Sequence, residues 1–207
     1  MLTLLQLGDY FGTFAFAITG ALAAAEKRLD IGGFILLGFV TGVGGGTLRD
    51  LLIGRDAVFW AEQPEYIMIC ALGAVATYFL ADRLGAFRKL LVWCDAAGLA
   101  VFAVIGAGIA IKAHCPPLVA IFMGALTASG GGVIRDIIRN ELPIVLHREI
   151  YVTAALAGAG ALVGLNALHA PPALSVAVGI AVGFALRAIG ITFDLHLPAY
   201  QRPPLSK

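Results

Sequence analysis

Charge is scarce in this chain. Asp, Glu, Lys and Arg together supply 13% of its 207 residues, about half the ~25% usual in a soluble domain, and the mean hydropathy is +0.92. With so little charge and 60% hydrophobic residues, a water-soluble globule is excluded and an integral membrane protein is indicated. The formal net charge of +1 leaves no basic footprint for nucleic acid. Cysteine is nearly absent as well. Cys70, Cys94 and Cys115 lie in or beside apolar stretches without metal-ligand spacing, so they read as small packing residues. The N-terminal MLTLLQLGDY has no basic region ahead of its apolar stretch, so a cleaved signal peptide is not expected. Catalytic signatures are missing too: there is no His-Glu-x-x-His, no Gly-x-Ser-x-Gly and no Walker lysine after a glycine run. His114, His147, His169 and His196 are scattered near helix ends. Neither an enzyme nor a resident metal or cofactor is expected.

What the chain has in abundance is long apolar runs, each near the ~20 residues that a helix needs to cross a bilayer. Seven are read: Leu4–Ala25, Ile31–Leu52, Glu65–Ala81, Leu91–Ile111, Pro117–Ile138, Ile150–His169 and Pro172–Ile191. They are apolar nearly all round, whereas strands of a membrane barrel alternate with period two, so an all-α bundle is expected. Connections such as EKRLD at 26–30 and HAPP at 169–172 are short. The whole chain, 1–207, therefore reads as one membrane domain, and its function must reside in the bundle.

With seven spans, one membrane face receives Arg49, Arg55 and Lys112. The other receives Lys27, Arg28, Arg83, Arg88, Lys89, Arg135, Arg139, Arg148, Arg187, Arg202 and Lys207. Because basic residues concentrate on the cytoplasmic side, the expected orientation is N-terminus outside and C-terminus cytoplasmic.

The chain also repeats itself. Asp9 and Asp95 lie 86 positions apart, as do Gly44 and Gly130. At the same offset Gly12 meets Gly98, Phe16 meets Phe102, Gly20 meets Gly106, Gly38 meets Gly124 and Thr41 meets Thr127. The strings GGGTLRD (44–50) and GGGVIRD (130–136) superimpose. The expected boundaries are about 4–85 and about 90–170, with a seventh helix at about 172–191. Three helices per copy is an odd number, so the second copy enters the membrane from the opposite face. The result is an inverted 3+3 repeat plus one helix, an architecture that places a solute path near the midplane between the repeats.

Glycine costs roughly 1 kcal/mol relative to alanine in a helix interior, so the triplets Gly44, Gly45, Gly46 and Gly130, Gly131, Gly132 are expected to bend or unwind spans two and five. Carbonyls released by such breaks must face protein or water, where they can replace part of a cation's hydration shell. Close helix packing is the competing explanation, and it is the favoured one for the Gly160/Gly164 and Gly179/Gly183 pairs. Thr41, Thr127 and Ser129 sit within a turn of the triplets; their hydroxyls face a passing ion or bond back to their own helix. Charges at membrane depth mark functional sites by default. Asp9 with Arg49, and Asp95 with Arg135, are expected as ion pairs at opposite ends of one path, with Asp50 and Asp136 as competing partners.

The doubled Gly-Gly-Gly-x-x-Arg-Asp strings, the seven spans and the segment ELPIVLHREIY (141–151) resemble the prokaryotic branch of the trimeric intracellular cation (TRIC) channel family. The resemblance implies a homotrimer in the lipid of a prokaryotic inner (plasma) membrane, with one pore per subunit through the second and fifth spans, conducting monovalent cations, chiefly potassium. Related bacterial sequences have been described as glycine transporters, so a carrier of a small zwitterion is the alternative.

Overall fold

Helix after helix forms because backbone polar groups in a bilayer have no water to turn to and must be satisfied within the segment. The computed structural model describes residues 4–84, 88–147 and 149–198. Arg148, Arg202 and Lys207 of the charge count above therefore lie outside the described residues. The elements are α1 (Leu4–Glu26), α2 (Ile31–Ile53), a four-residue α3 (Phe59–Glu62), α4 (Glu65–Leu84), α5 (Arg88–Lys112), α6 (Pro117–Ile138), a 3-10 turn (Ile144–Leu146), α7 (Val152–Ala167) and α8 (Pro172–Phe193). Among the described residues the one β feature is an isolated bridge between Glu149 and His196.

Local signals set the ends. Asp30 caps α2 by accepting a hydrogen bond from the Gly33 N–H at 2.9 Å. Pro117 and Pro172 open α6 and α8 at positions where the missing N–H costs nothing. Left-handed residues close the helices in matching places: Arg28 and His114 at φ 54° and 58°, Gly54 and Asn140 at φ 79° and 56°. Each of these pairs is again 86 positions apart. The duplication thus reaches into turns whose residues no longer resemble each other.

Five helices (α1, α2, α5, α6 and α8) are long and apolar enough to cross a membrane, and the apolar stretches of α4 and α7 are shorter. The expected span at 150–169 shrinks to Val152–Ala167. Ile150 is held in the connector because its carbonyl accepts from Arg187 at 3.3 Å, and His169 turns left-handed at φ 58°. The short α3 had no signal in the hydropathy, being a single amphipathic turn.

The bundle's interior is made of small residues. Ala17, Ala21, Ala74, Ala103, Ala107, Ala154 and Ala159 are buried, while Leu52, Met68, Leu72, Phe79, Leu118 and Phe122 face outward. This reversal of the soluble pattern follows from the solvent: lipid tails are as apolar as leucine, so helices associate through close van der Waals packing of small faces. α1 packs on α2, α4 and α5; α2 crosses α6; α5 and α6 pack on α7, and α8 covers α5 and α7. The core of the inverted repeat is the α2–α6 crossing, and α8 has no counterpart in the first copy.

Candidate functional site: two cavities and a glycine crossing

At the crossing, both glycine triplets are continuous helix, since α2 and α6 run through Gly44–Gly46 and Gly130–Gly132 without interruption. The expected unwinding is therefore corrected. An unsatisfied backbone group in lipid costs several kcal/mol, more than the roughly 1 kcal/mol that each glycine adds, so the helical hydrogen bonds hold. The triplets serve close approach instead, and their adjacency has a use because each glycine faces a different neighbour. A Cβ on Gly45 would stand 2.1 Å from the Thr127 carbonyl oxygen, and one on Gly131 would stand 2.1 Å from that of Thr41. One on Gly44 would lie 3.3 Å from the Gly131 Cα, and one on Gly130 would lie 3.0 Å from the Gly45 Cα. Gly46 faces the Phe59 ring, whose nearest atom would be 2.6 Å from a Cβ.

The hydroxyls are committed to their own helices. Thr41 donates to the Leu37 carbonyl and Thr127 to that of Met123, both at 2.6 Å, and Ser129 donates to Ala125 at 2.8 Å. Elsewhere the small-residue spacings are partly corrected. Gly179 and Gly183 do meet α7, at Gly158, whereas Gly160 and Gly164 have no neighbour within 4 Å of a would-be Cβ.

On either side of the crossing lies a cavity. The first, of about 330 Å³, is lined by Asp9, Thr13, Gly46, Arg49, Phe59 and Tyr66, together with the exposed Arg55 and Lys112 and the buried Phe102 and Thr127. The second, of about 460 Å³, is lined by Thr19, Glu26, Asp95, Arg135, Arg139, Glu149 and Arg187, with the segment 194–196 across it. They sit at opposite ends of α1. Between Thr13 and Thr19, six residues or about 9 Å of helix, the interior is filled by Phe16 and Phe102, whose ring centroids are 5.2 Å apart. The two cavities share no lining residue.

The arginines do not pair with Asp9 and Asp95 as expected; the competing partners win. Arg49 Nε donates to Asp50 Oδ1 at 2.8 Å, and Arg135 Nε to Asp136 Oδ1 at 2.8 Å. The reason is where each carboxylate is held. An aspartate in the last turn of a helix opposes the helix dipole and needs donors. Asp50 Oδ2 takes the Phe59 N–H at 2.8 Å, and Asp136 Oδ2 takes the Ile144 N–H at 3.1 Å. So anchored, each aspartate lies beside its own arginine, while Asp9 and Asp95 sit on other helices across a cavity. Asp50 also has Arg55 Nη1 at 3.6 Å.

Several further residues build the site. Tyr66 donates its hydroxyl to Asp9. The Phe59 ring packs against Tyr66 at 4.7 Å and lies under the Arg49 guanidinium at 5.7 Å. Arg187 of α8 is buried, reaches Glu149 at 2.9 Å and lies over the Tyr151 ring at 5.0 Å. Its signal in the sequence is that of a lone charge in an apolar run, the mark of an intramembrane functional residue. Asp95, in contrast to Asp9, takes no hydrogen bond or ion pair from any described residue.

Two stretches of the chain, residues 6–82 and 92–167, match a family model described as "Glycine transporter". Over 197 residues the chain is 42% identical to a UPF0126 membrane protein of Deinococcus radiodurans, covering 94% of this chain and 91% of that one. Over 199 residues it is 37% identical to the UPF0126 inner membrane protein YadS of Escherichia coli K12, covering 93% and 94%. Among solved structures it is similar to the TRIC trimeric intracellular cation channel orthologue from Rhodobacter sphaeroides. That match has a TM-score of 0.88 and 48% identity, and spans 94% of this chain and all of the other.

Proposed function

Since this chain belongs to the family of the "Glycine transporter" model, which takes in the UPF0126 membrane proteins and the prokaryotic TRIC channels, we propose that it is a cation channel. The observation that carries this reading is the pair of charge-lined cavities, each large enough for several waters, toward opposite ends of α1 with Phe16 and Phe102 packed between them. Each cavity presents an aspartate, Asp9 or Asp95, and holds its arginine neutralised by a neighbouring carboxylate. A paired arginine does not repel a passing cation as a free one would. The path runs between the repeats, past the α2–α6 crossing, and opens when these two rings and the crossing separate. Potassium is the proposed permeant ion, with one pore per subunit of a homotrimer. The membrane is the prokaryotic inner membrane, with the N-terminus outside.

A second reading is favoured by the description of the family model itself: a carrier of glycine. Two cavities closed off from each other at the centre also suit alternating access. Single-channel recording in planar bilayers under a potassium chloride gradient separates the two. Discrete openings that reverse near the potassium equilibrium potential are the expected result. A silent bilayer, with saturable counterflow of radiolabelled glycine in liposomes, would replace the channel by the carrier.

A further inference from the structure

The two cavities differ in charge. Among the described residues, the first is lined by one acidic side chain (Asp9) and three basic ones (Arg49, Arg55, Lys112). The second is lined by four acidic side chains (Glu26, Asp95, Glu149, Asp194) and three basic ones. The partners of the lining arginines that stand outside the linings, Asp50 and Glu62 at the first end and Asp136 and Glu141 at the second, add two negative charges to each and leave this difference of three unchanged. Its origin is visible in the repeat. Aspartates 9 and 95 and arginines 49 and 135 keep their sign across the 86-residue offset, but three equivalent positions reverse it: Glu26 aligns with Lys112, Arg55 with Glu141 and Glu62 with Arg148. Glu26 and Lys112 line opposite cavities. A further asymmetry is independent of the count. The Asp9 carboxylate accepts the Tyr66 hydroxyl, while that of Asp95 is uncommitted among the described residues.

We infer that the pore is electrically polar and rectifies, passing cations more readily when they enter from the cavity of Glu26 and Asp95 than from the cavity of Lys112. The inference rests on the cation-channel reading. Charge lining a low-dielectric cleft raises the local concentration of the counter-ion and hence its entry rate. With a Debye length of about 10 Å at 0.1 M salt, a difference of three charges between two mouths corresponds to about a twofold difference in entry; at 1 M the length falls to about 3 Å and the difference is screened away. Lys112 is the residue to change. It lies exposed at the end of α5 and pairs with no described residue, so its replacement leaves the bundle's packing alone.

The test is the single-channel current–voltage relation in symmetric potassium chloride, which needs no knowledge of the insertion direction. Wild type is expected to show about twofold larger current at one polarity in 0.1 M salt and a straight line in 1 M. Lys112→Glu should bring the 0.1 M ratio close to one, and Lys112→Gln should give about half that change. A linear relation for wild type in 0.1 M overturns the inference and leaves the channel standing, as does rectification that persists in 1 M salt. A ratio that grows in Lys112→Glu overturns the assigned direction. Silent bilayers with glycine counterflow overturn the channel reading and this inference with it.

Discussion

Asp9 and Asp95 occupy the same place in the two repeats, each an acid of the first helix of its copy facing a cavity that also holds an arginine. Asp9 is tied to Tyr66, under a connector whose helix α3 packs Phe59 against Gly46 and whose Arg55 joins Asp50. Asp95 has no such tie among the described residues; the connector on its side is a 3-10 turn, and α8 brings in Arg187. The difference teaches where duplication constrains a membrane protein. The crossing, where backbone meets backbone on the pseudo-two-fold axis, has kept both copies alike. The mouths, which share no atoms, have diverged in aromatic lining and in charge.

Glycine substitutions test that contrast with the largest expected effect. Gly45→Ala and Gly131→Ala would each place a Cβ 2.1 Å from a backbone carbonyl oxygen. Backbone on both sides cannot give way, so both variants should lose more than about 3 kcal/mol and fail to accumulate as folded protein in detergent. Away from the axis the copies should part company. The Cβ of Gly132→Ala would find its nearest neighbour at 3.7 Å, at the flexible end of Arg135, while that of Gly46→Ala would press on the Phe59 ring at 2.6 Å. The first should be neutral or up to about 1 kcal/mol more stable, as alanine favours a helix; the second should be less stable than wild type by thermal unfolding. Equal behaviour of the two would mean that Phe59 is not held firmly over the first cavity.

The ion pairs give the next effect. Removing one partner of a buried pair leaves an uncompensated charge and costs about 3–5 kcal/mol. Asp50→Asn should lie toward the top of that range and Asp136→Asn below it. Asp50 is fully buried and serves Arg49, Arg55 and the Phe59 N–H, whereas Asp136 serves Arg135 and the Ile144 N–H. Thermal unfolding of the two purified variants makes the comparison. If Asp136→Asn proves the more damaging, the third partner of Asp50 contributes nothing and the ends are equivalent in stability.

Much of this was legible in the residues. The apolar runs located the long helices to within about three residues at most ends, and the repeat was evident from Gly-Gly-Gly-x-x-Arg-Asp. Three things were not, each for a physical reason. The fate of the triplets depended on a competition between helix propensity and backbone desolvation in lipid, and periodicity does not report its outcome. The partner of each arginine depended on which carboxylate a distant backbone N–H had already fixed. Phe59 belongs to a connector whose course over the cavity is set by packing against Gly46, and it meets Tyr66 at the start of α4; neither contact has a signature along the chain.

The smallest effect concerns the clasp on the second side. Lys27 meets Glu141 at 2.9 Å, and Arg139 meets Glu141 at 3.1 Å and also pairs with Glu26, so the α1–α2 turn of one copy is tied to the end of α6 in the other. At the other end the corresponding turn, with Lys112, has no such ionic tie among the described residues. The hydrogen bond from Lys27, aided by Arg139, holds the Glu141 carboxyl below its ordinary value of 4.5. A carboxyl whose pKa is lowered on folding stabilises the folded state above its unfolded pKa, and that stability is lost as pH falls through the lower folded value. Glu141→Gln should therefore melt slightly below wild type at neutral pH, and the two melting curves should converge as the pH is taken below 4.5. Because the pair is exposed, the gap should also close in high salt. A gap that persists under both conditions would mean that Glu141 acts through packing, and that the second side is held by something other than charge.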